Sequence, residues 1–145
     1  GKSEGEFDDG LGELADAASA LDFLQASTPN STACWVIGFS FGSWIGMQLL
    51  MRRPEISGFI SVSPPANKYD FSFLAPCPSS GLIINGNLDR LVPPSDIKSL
   101  SDRLKLQKGI QVAHKEIEGA DHFFTNFEDE MIKAVNEYLS SRSDI

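Results

Sequence analysis

The chain reads as an α/β protein built on a parallel sheet, and three observations lead there. Short apolar runs alternate with segments of helical periodicity along its whole length. One of those runs passes directly into a helix through Gly38-Phe39-Ser40-Phe41-Gly42. Three of the expected strands are each followed closely by a residue type used in nucleophilic catalysis: Ser40, Asp89 and His122.

The elements follow in order. Gly1 to Gly12 is rich in Gly and acid and reads as a loop. Leu14, Ala17, Ala18, Leu21 and Leu24 form a stripe that predicts a helix over Glu13 to Gln25, ended by Thr28-Pro29-Asn30-Ser31. The run Ala33-Cys34-Trp35-Val36-Ile37 predicts a buried strand, and Ser43 to Met51 a buried helix stopped by Arg52-Arg53-Pro54. Gly58 to Ser63 is a short strand closed by Pro64-Pro65. Ala66 to Ser80 is a connection too short for a cap domain, which leaves any site here open. Gly81 to Gly86 is a further strand. The next helix is expected to take Ser95 as N-cap, with Ile97, Leu100 and Leu104 inside and Asp96 in its first turn, favoured by the helix dipole. Gln107-Lys108-Gly109 turns into a last strand, Ile110 to Ile117, and a closing helix carries Phe127, Met131, Val135 and Tyr138 at helical spacing. With no repeat, low-complexity tract or linker, residues 1–145 form a single domain.

Composition narrows the function. Twelve Lys and Arg against 20 Asp and Glu give a net charge of −8, which argues against a nucleic-acid or anionic-membrane surface. The apolar runs are too short to span a bilayer. Cys34 and Cys77 belong to no motif and read as reduced structural thiols, pointing to a cytoplasmic setting. No Cys/His cluster has metal spacing, so neither metal nor cofactor is implied. The chain opens at Gly1-Lys2-Ser3, without Met or leader, and the expectation is an N-terminally truncated piece.

The chemistry centres on Ser40. A strand, a G-x-S-x-G turn and a helix make a nucleophile elbow, which projects the serine hydroxyl from the end of the sheet. Small residues on either side of the serine let strand and helix pass closely. The same turn places the Phe41 N–H at a helix start, where it can donate to a developing oxyanion. Serine is also common in turns for purely conformational reasons, so the partners matter. Asp89 follows the Gly81 strand and His122 follows the last strand, giving the order Ser…Asp…His used by one fold of triad enzymes. In a parallel sheet all three meet at the C-terminal edge. His114 lies inside its strand and reads as a packing or surface residue. Asp121 is adjacent to His122 and is expected to point away and cap the turn. Phe39 and Trp44 read as packing beneath the elbow or as site lining, and Phe41 as a wall of an acyl pocket. Tyr69, Phe71 and Phe73 either wall the substrate site or pack inward.

With those residues in hand, the chain resembles the α/β-hydrolase superfamily, and within it the small, cap-less, dienelactone-hydrolase-like bacterial hydrolases. The matching stretches are Gly-Phe-Ser-Phe-Gly at 38–42, Ser-Pro-Pro at 63–65, Tyr-Asp-Phe-Ser-Phe-Leu at 69–74, Gly-Asn-Leu-Asp with Val92-Pro93 at 86–93, and Gly-Ala-Asp-His-Phe-Phe at 119–124. The resemblance implies the α/β-hydrolase fold with its N-terminal strands missing and no cap. It also implies a serine hydrolase acting on a small carboxylic ester or thioester, with Ser40 as nucleophile, His122 as base and Asp89 as orienting acid. Dienelactone hydrolases proper carry a cysteine nucleophile, and Ser40 in its place shifts the expectation to ordinary esters and thioesters. Gly1 to Gly5 resembles the tail of a loop that follows an earlier strand in the family, and the second oxyanion N–H belongs to a loop before that. The first strand here is then an edge with apolar faces, to be covered by a preceding segment or by a second copy of the chain. Two other outcomes stand beside the esterase: a non-catalytic or inactive module on this fold, and a peptidase, lactonase or acyltransferase.

Overall fold

The structure, a computed structural model, describes residues 1–142. Four parallel strands, β1 (Trp35–Phe39), β2 (Gly58–Val62), β3 (Gly81–Gly86) and β4 (Val112–Ile117), lie side by side in that order. Trp35 is in register with Gly58, Phe59 with Gly81, and Gly81 with Val112. Because every strand runs the same way, all four C-terminal ends share one edge. The helices are α1 (Leu11–Ser27), α2 (Phe41–Arg52), α3 (Pro94–Lys105) and α4 (Glu128–Ser141).

Two cores hold the layers together. On one face, Leu14 and Leu21 of α1, Ile45 and Leu49 of α2 and Ile97 and Leu100 of α3 cluster with Phe59 and Ile83 of the sheet. On the other, α4 brings Ala134, Met131 and Val135 against Ile60, Val62, Ile84 and Ile117. The central strands β2 and β3 are buried on both faces, which is why they read as continuous apolar runs rather than alternating ones.

β1 departs from its expected burial. It starts at Trp35 rather than Ala33, and Ile37 and Phe39 are 54% and 44% exposed. It is one of the sheet's two edge strands, β4 being the other. On the α4 side the ring of Trp35 lies 5.9 Å from that of Tyr138, Ile37 beyond it lies open, and Phe39 meets only the rings of the histidine loop among the described residues. On the other side Val36 meets α2 so closely that a Cβ on Gly46 would sit 2.9 Å from its Cγ2.

Two helix starts also differ from expectation. α1 begins at Leu11, two residues early, because Gly10 adopts φ +104 and the Glu13 carboxylate accepts the N–H groups of Asp8 and Gly10 at 2.9 and 3.0 Å. α3 begins at Pro94, with Pro93 and not Ser95 at the N-cap position. Proline's fixed φ and missing N–H suit the first helical residue, so Pro94 sets the start and Ser95 falls inside the first turn beside Asp96. Among the described residues, no helix is long and apolar enough to cross a membrane.

Candidate active site

Ser40 sits between β1 and α2 with φ +51 and ψ −122, a conformation L-residues rarely hold. The strain is imposed from outside. Its N–H donates to Val62 O at 2.8 Å, and its carbonyl accepts the Ser43 hydroxyl at 2.6 Å. Gly38 is sterically required, since a Cβ there would lie 2.4 Å from Gly42 O and 2.5 Å from Ser43 Cα. Gly42, by contrast, faces open space on the outer side of the first turn. The close passage expected of both flanking glycines is therefore made by Gly38 and, one helical turn later, by Gly46. Phe41 is the first residue of α2, so its N–H has no intrahelical acceptor.

Asp89 and His122 come to the same edge from the loops after β3 and β4. Asp89 Oδ1 accepts the N–H groups of Leu91 and Val92, each at 2.8 Å. Its Oδ2 lies 2.7 Å from His122 Nδ1, in a pair whose side chains are 0% and 5% exposed. His122 Nε2 lies 2.9 Å from Ser40 Oγ. The ionised carboxylate only accepts, so Nδ1 carries the imidazole proton. Nε2 of the neutral ring is then the acceptor and the Ser40 hydroxyl the donor.

The loops are tied to one another. Asn87 N donates to Ile117 O at 3.2 Å, Leu88 N to Ala120 O at 2.9 Å, and Gly119 N to Asn87 Oδ1 at 2.7 Å. Ser63, just beyond β2, is fully buried at φ +50. Its N–H donates to Ile84 O at 2.8 Å and its hydroxyl to His122 O at 2.9 Å. Phe124, at φ +55, is buried under the histidine loop, whereas Phe123 packs edge-on to the imidazole at 5.0 Å between centroids. Sequence reasoning did not single out Ser63, Asn87, Leu88, Arg90 or Leu91 as site residues. Ser63 carries the signal that marks Ser40, a hydroxyl directly after a strand.

The remaining expected residues sort by environment. Phe39 is not beneath the elbow; it stands on the exposed side of β1, 5.4 Å from the His122 ring. Tyr69 stands beside the elbow, stacked on Trp44 at 4.4 Å and 5.7 Å from Phe41, which in turn meets Phe7 at 5.2 Å. Phe71 does not line the site. It is 4% exposed and belongs to the α3-side core, with Phe73 stacked on it at 6.1 Å. The Asp70 carboxylate accepts the N–H and hydroxyl of Ser72, at 2.8 and 2.9 Å, and this turn abolishes the alternation that would have aimed Phe71 outward. Asp121 Oδ1 accepts the N–H groups of Phe123 and Thr125, at 3.0 and 2.9 Å. The bond from Thr125 above all holds its carboxyl below the usual range. His114, half-buried on β4, lies 2.6 Å from Asn85 Oδ1, and burial pushes its pKa below the ordinary value. Cys34 and Cys77 are free, with burial raising both thiols.

Known proteins resemble the chain in sequence and fold. No family model matches the chain. An uncharacterized protein of Rickettsia prowazekii is 52% identical over 143 residues, which cover 96% of this chain and 60% of that protein. A solved protein of unknown function from Agrobacterium tumefaciens, described as a candidate α/β hydrolase, is 58% identical with a TM-score of 0.95. The match covers 99% of this chain and 66% of that one. An α/β serine hydrolase without lid from Xanthomonas campestris is 28% identical with a TM-score of 0.83, over 94% of this chain and 60% of its own. The chain belongs to the α/β-hydrolase superfamily, in its lid-less form. It spans less than two thirds of the length of each of these relatives.

Proposed function

We propose that the chain carries the nucleophile, acid and base of a serine hydrolase that cleaves small carboxylic esters or thioesters through an acyl-enzyme. The observation that carries this reading is the unbroken relay of Asp89 Oδ2, His122 and Ser40 Oγ, with links of 2.7 and 2.9 Å, assembled from three strand ends. Ser40 Oγ attacks the acyl carbon while its proton passes to His122 Nε2. Asp89 holds Nδ1–H and stabilises the imidazolium. The proton is then returned to the leaving oxygen or sulfur as its bond to the acyl carbon breaks. Water repeats the sequence and releases the acid. The Phe41 N–H donates to the oxyanion, a contact of a kind worth about 3 kcal/mol of barrier.

The test is a fluorophosphonate probe read by intact mass. Attack by Ser40 forms the P–O bond and expels fluoride, so the parent should gain one adduct and Ser40→Ala none. A folded parent that stays unlabelled, or an equally labelled Ser40→Ala, would overturn the reading.

A second reading keeps the fold without the chemistry. The exposed Ile37 and Phe39 on edge strand β1 favour a module that associates through that edge, with another segment or a second copy. A monomer in sedimentation that labels fully at Ser40 would sink it. Peptidase, lactonase and acyltransferase chemistry would use the same three residues and be separated by substrate profiling.

A further inference from the structure

Between the loops that leave β3 and β4 lies a cavity of about 560 Å³ bordered by His122. Its walls include Leu88, Leu91 and Phe123, which are 57%, 58% and 60% exposed. Large apolar side chains gathered around one cavity beside a reacting group mark a ligand surface rather than scatter. Arg90 lines the same cavity and makes no hydrogen bond or ion pair among the described residues. Asp121, the acid on that wall, is engaged by the backbone of its own turn.

Position decides which half of a substrate enters. His122 returns its proton to the leaving atom, so the leaving group must lie against the imidazole; His122 lines this cavity, and Phe123 of its wall lies 5.0 Å from the imidazole. The aromatic group of Phe7, Phe41 and Tyr69 stands at the helix side of Ser40, where Phe41 also supplies the oxyanion donor. That side is left for the acyl half. We propose that the cavity binds the leaving group, and that this group is an apolar alcohol or thiol carrying an anionic substituent held by Arg90. The chain's net charge of −8 disfavours anions at long range; an unpaired guanidinium at the cavity wall reverses that preference locally. The proposal rests on the hydrolase reading above.

The test compares two acetyl esters whose leaving phenols differ in charge and little else: those of 3-(4-hydroxyphenyl)propanoate and of its primary amide. The ratio of kcat/KM, anionic over neutral, is measured for the parent and for Arg90→Gln, so intrinsic ester reactivity cancels. The ratio should fall about tenfold in the variant, the loss of one charge-assisted contact. In a second arm, Leu88→Ala with Leu91→Ala should lower kcat/KM for both aryl esters about fivefold relative to methyl acetate, reading the apolar wall. Both leucines are exposed, so folding is not at stake. An unchanged ratio in Arg90→Gln overturns the anionic preference, and an unchanged aryl-to-methyl ratio overturns the cavity. Fluorophosphonate labelling separates the two levels, because fluoride does not need the cavity. Full labelling with unchanged ratios leaves the hydrolase standing and this proposal refuted. Absent labelling and turnover in the parent refutes the hydrolase, and the proposal with it.

Discussion

Replacing Ser63 tests whether the histidine loop is held by a single buried hydroxyl. That hydroxyl donates to His122 O at 2.9 Å from a fully buried position. In Ser63→Ala the bond is lost and the carbonyl is left without this donor, at a cost of roughly 1–3 kcal/mol. For a domain of this size that corresponds to a drop in melting temperature of about 3–10 °C. Ser63→Gly loses the same bond but is relieved at φ +50, where an L-residue pays about 1–2 kcal/mol that glycine does not. Glycine should therefore match or exceed alanine here, against the usual penalty of about 0.5–1 kcal/mol for Gly relative to Ala. Thermal melts of the three proteins decide the stability question. Phosphonylation rates at Ser40 decide whether the tether matters to the site, and should fall roughly tenfold in both variants as the imidazole loses its fixed position. An alanine variant that melts with the parent would show that the bond contributes nothing. A glycine variant clearly less stable than alanine would refute the backbone argument.

Two further outcomes follow from the site and from β4. In Asp89→Asn, the Leu91 and Val92 N–H groups will keep the amide oxygen, so the NH₂ must face His122 Nδ1. That turns Nδ1 into an acceptor and puts the ring proton on Nε2, facing Ser40, where it blocks proton uptake. Ester turnover should drop about 10⁴-fold with the fold kept, and a drop below tenfold would refute the relay. His114 has its folded pKa pushed below its ordinary 6.5, first by burial and then by Lys105 and Lys98, against Glu116 and Asp102. The unfolded chain thus takes up a proton that the folded one refuses, and stability present above about pH 6.5 is lost as pH falls through that value toward the folded pKa. Denaturant unfolding at pH 7.5 and 5.5 should show a larger loss for the parent than for His114→Gln, and equal losses would assign the pH dependence elsewhere.

The elbow was legible because its geometry is local. A Cβ at position 38 would collide with the turn itself, so the need for Gly38 is written within five residues. The gathering of Asp89 and His122 at Ser40 was legible because strand ends in a parallel sheet share an edge, and His114 was separable from His122 by its place inside a strand. What escaped is what depends on distant partners. Ser63 follows a strand as Ser40 does, but the carbonyl it answers to lies 59 residues away. The burial of Phe71 is set by a turn at Asp70 and by the packing of α3. The apolar run into β1 looks like the runs of β2 and β3 because hydrophobicity records what a strand could bury and not whether a neighbour is present. At α3, an N-cap preference for serine lost to a proline pair whose fixed φ fits the first helical position.

The first residue beyond β1, β2 and β3 donates its N–H to a carbonyl of the next strand: Ser40 to Val62, Ser63 to Ile84 and Asn87 to Ile117. Ser40 and the starts of the two loops after β2 and β3 are thus located by the alignment of the strands. The exposed positions of the stretch from 64 to 80 can be lengthened or changed while these three residues stay where they are, whereas the loop at 88–92 carries Asp89 and the N–H groups that hold it. A slip of one residue in a single strand would dislocate the whole row. A lineage carrying this sheet can therefore change the surface it presents at the strand ends through cheap edits at the periphery, while the strand alignment beneath tolerates almost none.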